Sequence, residues 1–340
     1  MNKKRVGRRT IALSHPPSVH SFAAVGGKME SKGPLASYFD ELGQDSFFGE
    51  KTWEKAESAM QKKALGLALE KGRLKPGDLD YVLGGDLLNQ CIGSAFGLRD
   101  FGIPYYGLYG ACSTMGESLS LAAMLIDGGY AEKAAAITSS HFCTAERQYR
   151  MPVPYGSQRT PTAQWTATAS GCTILSAEGK GPYITHITCG KIVDKGITDA
   201  NNMGAAMAPA AFDTLTAFFR DTQTTPADYD LVLTGDLGAL GHAIVRDLLE
   251  QSGLRTGKNF QDCGLLLYDR EKQDMHAGAS GCGCAAGVLN GYLLSRFREG
   301  SLKRIVFAPT GALLSPTSSF QGQSIPGICH AVCICAGREE

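Results

Sequence analysis

Two stretches of the chain, residues 53–70 and 203–220, repeat apolar side chains at helical spacing with polar positions between them. Each leads through a proline turn into a short apolar run that ends in glycine-aspartate, the pattern of a helix, a turn and a buried strand. The two passages are copies. Pro76-Gly77-Asp78-Leu79-Asp80-Tyr81-Val82-Leu83-Gly84-Gly85-Asp86-Leu87 returns as Pro226-Ala227-Asp228-Tyr229-Asp230-Leu231-Val232-Leu233-Thr234-Gly235-Asp236-Leu237, 150 residues later and identical at eight of twelve positions. A fixed internal period is the mark of a duplicated unit.

A looser correspondence extends the copy. Ala111-Cys112-Ser113-Thr114-Met115-Gly116 opens a helical run, and the apolar residues 134–138 then read as a strand leading into Ser139-Ser140. In the second copy Ala279-Ser280-Gly281-Cys282-Gly283-Cys284 opens the run, and residues 304–308 are the strand, leading into Pro309-Thr310-Gly311. Each copy closes with a small-residue β stretch, residues 166–176 and 327–335. Strands alternating with helices predict an α/β protein whose mixed, mostly parallel sheets are covered by helices. The halves divide at about 180, into residues 1–180 and 181–340, with no Pro- or Ser-rich linker between them, so one globule is expected.

Composition narrows the function. Thirty-three basic and 33 acidic side chains cancel in 340 residues, which argues against a nucleic-acid binder, whose footprint is a basic stripe. No run approaches the ~18 apolar residues of a membrane span. The basic start (Lys3, Lys4, Arg5, Arg8, Arg9) lacks the apolar core of a signal peptide and reads as a solvated tail leading into a first strand. Eleven cysteines are an odd number in a long chain, and most sit in apolar runs, so a reducing compartment is expected. Glycine, at 42 positions, gathers at the strand-to-helix turns.

Candidate chemistry starts at Cys112, placed between a strand ending near Leu108 and a helix starting near Ser113. A thiol at a helix N-terminus is expected to lean toward the thiolate. A metal site is not expected from Cys282, Cys284, Cys329, Cys333 and Cys335, because their spacing misses the usual C-x2-C pattern. On a strand, residues 329, 333 and 335 would share one face, which suits packing.

With the cysteine at the first elbow and the glycine-rich second elbow, the duplicated chain resembles the thiolase and ketoacyl synthase superfamily. More narrowly, it resembles the stage V sporulation protein AD family of spore-forming bacteria. The strings that carry the likeness include Gly85-Asp86-Leu87-Leu88-Asn89-Gln90, Gly110-Ala111-Cys112-Ser113-Thr114 and Thr138-Ser139-Ser140-His141. Others are Thr144-Ala145-Glu146-Arg147-Gln148, Met207-Ala208-Pro209-Ala210-Ala211, Thr234-Gly235-Asp236-Leu237 and Thr310-Gly311-Ala312-Leu313-Leu314-Ser315-Pro316-Thr317, and together they run along nearly the whole chain. The resemblance implies a five-layer αβαβα fold and binding of dipicolinic acid (pyridine-2,6-dicarboxylate), possibly as its calcium chelate, for uptake into the developing spore. It also implies a homodimer, membrane proteins of the same sporulation stage as partners, and a place in the cytoplasm or on the spore inner membrane without spanning it.

Condensing enzymes of this superfamily pair the cysteine with a histidine after the second half's first strand and with a histidine or asparagine on the glycine-rich elbow. Here those places read Thr234-Gly235-Asp236 and Gly278-Ala279-Ser280-Gly281, with His242 and His276 displaced from them. Acyl transfer needs a positioned base and an oxyanion hole, so a binding protein is expected, without cofactor. The alternative is a ketoacyl-synthase-type acyltransferase with Cys112 as nucleophile. For binding, the helix N-termini near Ser113 and Gly281 would face one pocket and favour an anion. Cys112 would line that pocket, with hydroxyls from Ser113, Ser280 and Thr310. His141 at a strand's carboxyl end, and Arg147 and Arg150 on the loop beyond, are further candidates. Asp86 and Asp236 read first as helix caps, Asp236 also as a ligand contact beside the missing histidine.

Overall fold

The computed structural model describes residues 4–149 and 159–338. The first half contributes strands β1 (Ser18–Gly26), β2 (Tyr81–Gly85), β3 (Tyr105–Gly107), β4 (Lys133–Ser140) and β5 (Ala169–Ser176), in the order β3-β2-β4-β5-β1. β3, β2 and β4 run parallel, while β5 is antiparallel to both β4 and β1. The second half contributes β6 (Tyr183–Thr188), β7 (Leu231–Thr234), β8 (Phe260–Asp262), β9 (Arg304–Ala308) and β10 (Ala331–Cys335). Their order, β8-β7-β9-β10-β6, repeats the first with the same parallel and antiparallel steps. A single residue pair, Ser18 with Tyr183, joins the two sheets at their shared edge.

Helices α1 (Trp53–Gly72) and α2 (Ile92–Leu98) precede the cysteine elbow, and α3 (Thr114–Asp127) and α4 (Phe142–Tyr149) follow it. In the second half come α5 (Met203–Thr222), α6 (Gly238–Gln251) and α7 (Cys282–Gly287), the last running on through a π turn into Leu294–Arg298. The repeated helices start and stop for local reasons. Thr52 accepts a hydrogen bond from the Lys55 amide at the start of α1, and Asn202 does so from Ala205 at the start of α5. Arg73 and Gln223 end them in the left-handed conformation.

Alternation along each strand sorts the core into layers. Leu83, Ala134, Ala136, Leu175, Ile184, Ile305, Phe307 and Val332 pack on Met115, Leu119 and Ala122 of α3 and on Cys284, Ala285 and Val288 beginning with α7. The opposite faces of the first sheet pack on Met60, Ala64, Leu65 and Ala68 of α1, and those of the second on Ala211, Leu215 and Phe218 of α5 and Val245 of α6. The result is helix, sheet, central helices, sheet, helix: five layers.

Two expectations need correction. The basic start is tied down in part: Lys4 pairs with the buried Asp127 at 2.6 Å and Arg9 with Asp213 at 2.6 Å. Each closing β stretch is also broken into two strands. Trp165–Thr166 pairs with Ala279–Ser280 before the chain enters β5, and Gly327–Cys329 pairs with Thr310–Ala312 before it enters β10. The first of these short pairs crosses from one half to the other and brings the second elbow to the first.

Candidate functional site

The first elbow is built from β3, a tight turn and the start of α3. Ala111 takes φ +49°, an uncommon conformation for a residue with a Cβ. Ser113 donates to the Gly110 carbonyl at 2.7 Å and Thr114 to that of Ala111 at 2.6 Å, so both hydroxyls are spent on the turn. Ser113 therefore shapes the elbow without offering its hydroxyl to a ligand. The second elbow turns on Gly281 at φ +96° and ψ 154°, where a Cβ would stand 2.6 Å from the Ser140 hydroxyl. Only glycine suits that place.

Asp236, two residues beyond β7, ties these pieces together. Its carboxylate accepts from Thr310 Oγ1 at 2.8 Å and from the Gly281 amide at 3.0 Å, and it is hydrogen-bonded to the Cys112 thiol. It is fully buried, which pushes its carboxyl up to about 7 against those three hydrogen bonds. The start of α6 is held by another carboxylate: Asp262 accepts from the amides of Leu237 at 2.9 Å and Gly238 at 3.1 Å. Asp236 is thus no cap of its own helix. Its repeat partner Asp86 does serve a helix start, accepting from the Ser94 amide of α2 at 2.7 Å and from Leu88 at 2.9 Å.

Cys112 is also buried, and its thiol is pushed well above the usual range by burial and then by the Asp236 charge; Gly281 and Ser280 hydrogen bonds oppose this. The expected thiolate is therefore reversed. The dipole of one helix is outweighed by loss of water and an adjacent carboxylate.

Cys112 and Ser280 line a small cavity of about 50 Å³ that opens toward solvent. Asp236, Gly281 and Thr310 form the wall behind them. Tyr109 and Tyr149, whose hydroxyls meet at 2.7 Å, stand on one side, and Met203 at the start of α5 on another. Glu146 is the only charged side chain among the described lining residues.

Two expected residues lie elsewhere. His141 faces the other side of α4, bonded to the Ser46 carbonyl at 2.8 Å, and burial lowers its pKa. Arg147 pairs with Glu54 and lies over the Trp53 ring at 5.2 Å. Arg150 lies outside the described residues. His242 stacks on Phe260, and His276 bonds the Thr160 carbonyl, so neither lines the Cys112 cavity. Sequence reasoning missed Gln164, which donates to the carbonyls of Asp236 at 2.6 Å and Ala279 at 3.0 Å while its own Oε1 has no partner among the described residues. It also missed Asp262 and the two tyrosines. No spacing marked them, because each reaches the site through a tertiary contact.

A family model described as stage V sporulation protein AD matches residues 7–335. The chain is 44% identical over 329 residues to stage V sporulation protein AD of Bacillus subtilis (strain 168), covering 97% of each chain. Solved structures with the same fold include 3-oxoacyl-[acyl-carrier-protein] synthase III from Aquifex aeolicus VF5, at TM-score 0.60 and 13% identity over 94% of this chain and 99% of that one. Human mitochondrial 3-ketoacyl-CoA thiolase in complex with CoA gives TM-score 0.56 and 14% identity over 96% and 99%.

Proposed function

The chain belongs to the stage V sporulation protein AD family, and on that premise we propose that it binds dipicolinic acid in the Cys112 cavity for uptake into the spore, without covalent turnover. One observation carries the reading: the ionisable group against the Cys112 thiol is the carboxyl of Asp236, where a condensing enzyme needs an imidazole base. A thiol raised by burial and by a neighbouring carboxylate is a poor nucleophile. It remains a good wall and a weak hydrogen-bond donor.

The cavity suits a small flat acid whose charge is already largely offset. Its walls are mostly apolar (Leu87, Ala111, Ala145, Ala312, Leu314), with Ser280, Thr166 and two tyrosine hydroxyls as polar points. The N-termini of α3, α5 and α7 converge on it, which favours carboxylate oxygens. No lysine or arginine is among its described lining residues, and Glu146 is. The calcium chelate, with metal and carboxylate charges cancelling, therefore suits it better than the bare dianion.

Calorimetric titration of the protein with dipicolinate, with and without calcium, tests this. Saturable binding, tighter with calcium and weakened by Ser280→Phe, is expected; no saturable binding up to millimolar ligand overturns it. Incubation with an acyl-CoA and weighing of the intact protein tests the alternative, since an acyltransferase would carry an acyl group on Cys112. We further propose, from the family alone, association with membrane proteins of the same sporulation stage; among the described residues no helix is long and apolar enough to cross a membrane. A homodimer through β3 belongs to the same proposal: this edge strand exposes Tyr106, next to the exposed Tyr109. Sedimentation of a Tyr106→Glu variant, expected to shift to monomer, checks it.

A further inference from the structure

Strand β10 carries two thiols that the ligand cavity does not use. Cys333 and Cys335 lie on one face of the strand, both buried, with their sulfurs 3.6 Å apart. Alternate residues of a regular strand are separated by about 6.6–6.8 Å, so the thiols lean toward each other. The register explains how. Cys333 pairs with His186 and Ile334 with Ile184, which leaves Thr185 as the extra residue of a bulge on β6, and a bulge sharpens the local bend and twist. Thr185 Oγ1 then sits 3.5 Å from the Cys335 sulfur and 3.1 Å from His186 Nδ1.

We propose that Cys333 and Cys335 are a dithiol that hydrogen peroxide oxidises to an intrachain disulfide, with His186 as the proton carrier beside it. Cys333 passes its thiol proton to the His186 ring and its sulfur attacks one peroxide oxygen; an S–O bond forms, the O–O bond breaks, and the leaving hydroxide takes that proton and departs as water. The Cys335 sulfur then attacks the sulfenic sulfur; the S–S bond forms, the S–O bond breaks, and the second oxygen leaves as water with the Cys335 proton. Two electrons pass from the dithiol to the peroxide, and two waters are released.

The surroundings favour this chemistry at this pair. Hydrogen bonding from Cys335 first, then from His186 and Thr185, outweighs burial and brings the Cys333 thiol down to about 5. At Cys263 and Cys284 burial wins and pushes the thiols well up. Cys333 and Cys335 are buried, but β10 ends at Cys335 and the chain continues into exposed residues 336–338, so fraying of this strand end is the proposed route for a small oxidant. Described residues offer no group of three His, Cys, Asp or Glu side chains placed to hold a metal. The strand spacing lies at the upper limit of the roughly 4.4–6.8 Å that a disulfide spans between Cα atoms. The bond is therefore of the strained, easily reduced kind.

The test uses the full chain treated with a small excess of hydrogen peroxide, then unfolded, alkylated and digested. The peptide holding both cysteines is expected to lose two hydrogens and escape alkylation about tenfold faster than the half-exposed Cys143 is consumed. The same pair in urea, without the bulge, should lose that advantage. Cys335→Ser should trap a sulfenic acid on Cys333, detected as a dimedone adduct, and Cys333→Ser should leave Cys335 unmodified. Consumption of Cys143 while Cys333 and Cys335 remain alkylatable overturns the proposal, as does a disulfide from Cys333 to any other cysteine. None of these readouts depends on the ligand cavity.

Discussion

Asp86 and Asp236 stand at the same place in a twelve-residue repeat and do different work. Both are buried at the carboxyl end of a parallel strand. Asp86 holds the start of α2 through Ser94 and stays within its own half. Asp236 hands its helix start to Asp262 and reaches Thr310, Gly281 and Cys112, so its bonds cross the molecule from one elbow to the other. A duplicated sequence thus provided two identical carboxylates, and divergence of the surrounding contacts kept one structural and made the other part of a site. The elbows differ in the same way. The first places an alanine at positive φ and offers a thiol, whereas the second requires a glycine and offers an amide.

The strongest way to break the comparison is at the second elbow. Gly281→Ala forces a Cβ toward the Ser140 hydroxyl in a backbone region other residues avoid. It should cost about 4 kcal/mol in urea unfolding. Next come the aspartates themselves. Asp236→Ala and Asp86→Ala each strand several buried donors and should each cost about 3 kcal/mol. Only Asp236→Ala removes the charge that raises the Cys112 thiol, so only this variant should alkylate at Cys112 faster, about tenfold at pH 7.5. Equal acceleration in Asp86→Ala would erase the distinction.

pH gives a finer test. Burial raises the Asp236 carboxyl from the ordinary 3.8 to about 7, and raises Glu57, beside Asp86, from 4.5 to about 8. A carboxyl that holds its proton more tightly when folded favours the folded state at low pH, and this benefit is lost as pH rises toward the folded value. Stability should therefore fall between about pH 4 and pH 8, by at most about 1.4 kcal/mol per pH unit for each group. Asp236→Asn should remove its share of the fall between about pH 4 and 7, and Glu57→Gln its share between about pH 4.5 and 8, so only the second variant flattens the curve above pH 7. The smallest effect is expected at the first elbow, where Ala111→Gly relieves a positive φ. Its change in stability should stay within about 0.5 kcal/mol, measured by thermal unfolding.

Much of this was legible in the residues themselves. The repeat foretold two copies of helix, turn and strand, and α1, α5, β2 and β7 form where the spacing put them. Cys112, Ser280, Gly281, Asp236 and Thr310 were all named from the elbows, and the structure brings them together. The errors share a cause. His141 and Arg147 were credited to the site because they follow a strand's carboxyl end, but α4 turns them toward Ser46 and Glu54. The thiolate expectation counted one helix dipole and could not count burial or a carboxylate 124 residues away.

The sequence by itself determined the alternation of strands and helices, the duplication and the two strand-to-helix elbows, because these follow from local periodicity and from backbone conformations that few residues can adopt. Tertiary structure alone decided the protonation of Cys112, the division of labour between Asp86 and Asp236, and the meeting of Cys333 with Cys335 across a bulge. Charge and proton affinity depend on which groups lie within a few ångströms and on how much water is excluded, and neither is written along the chain.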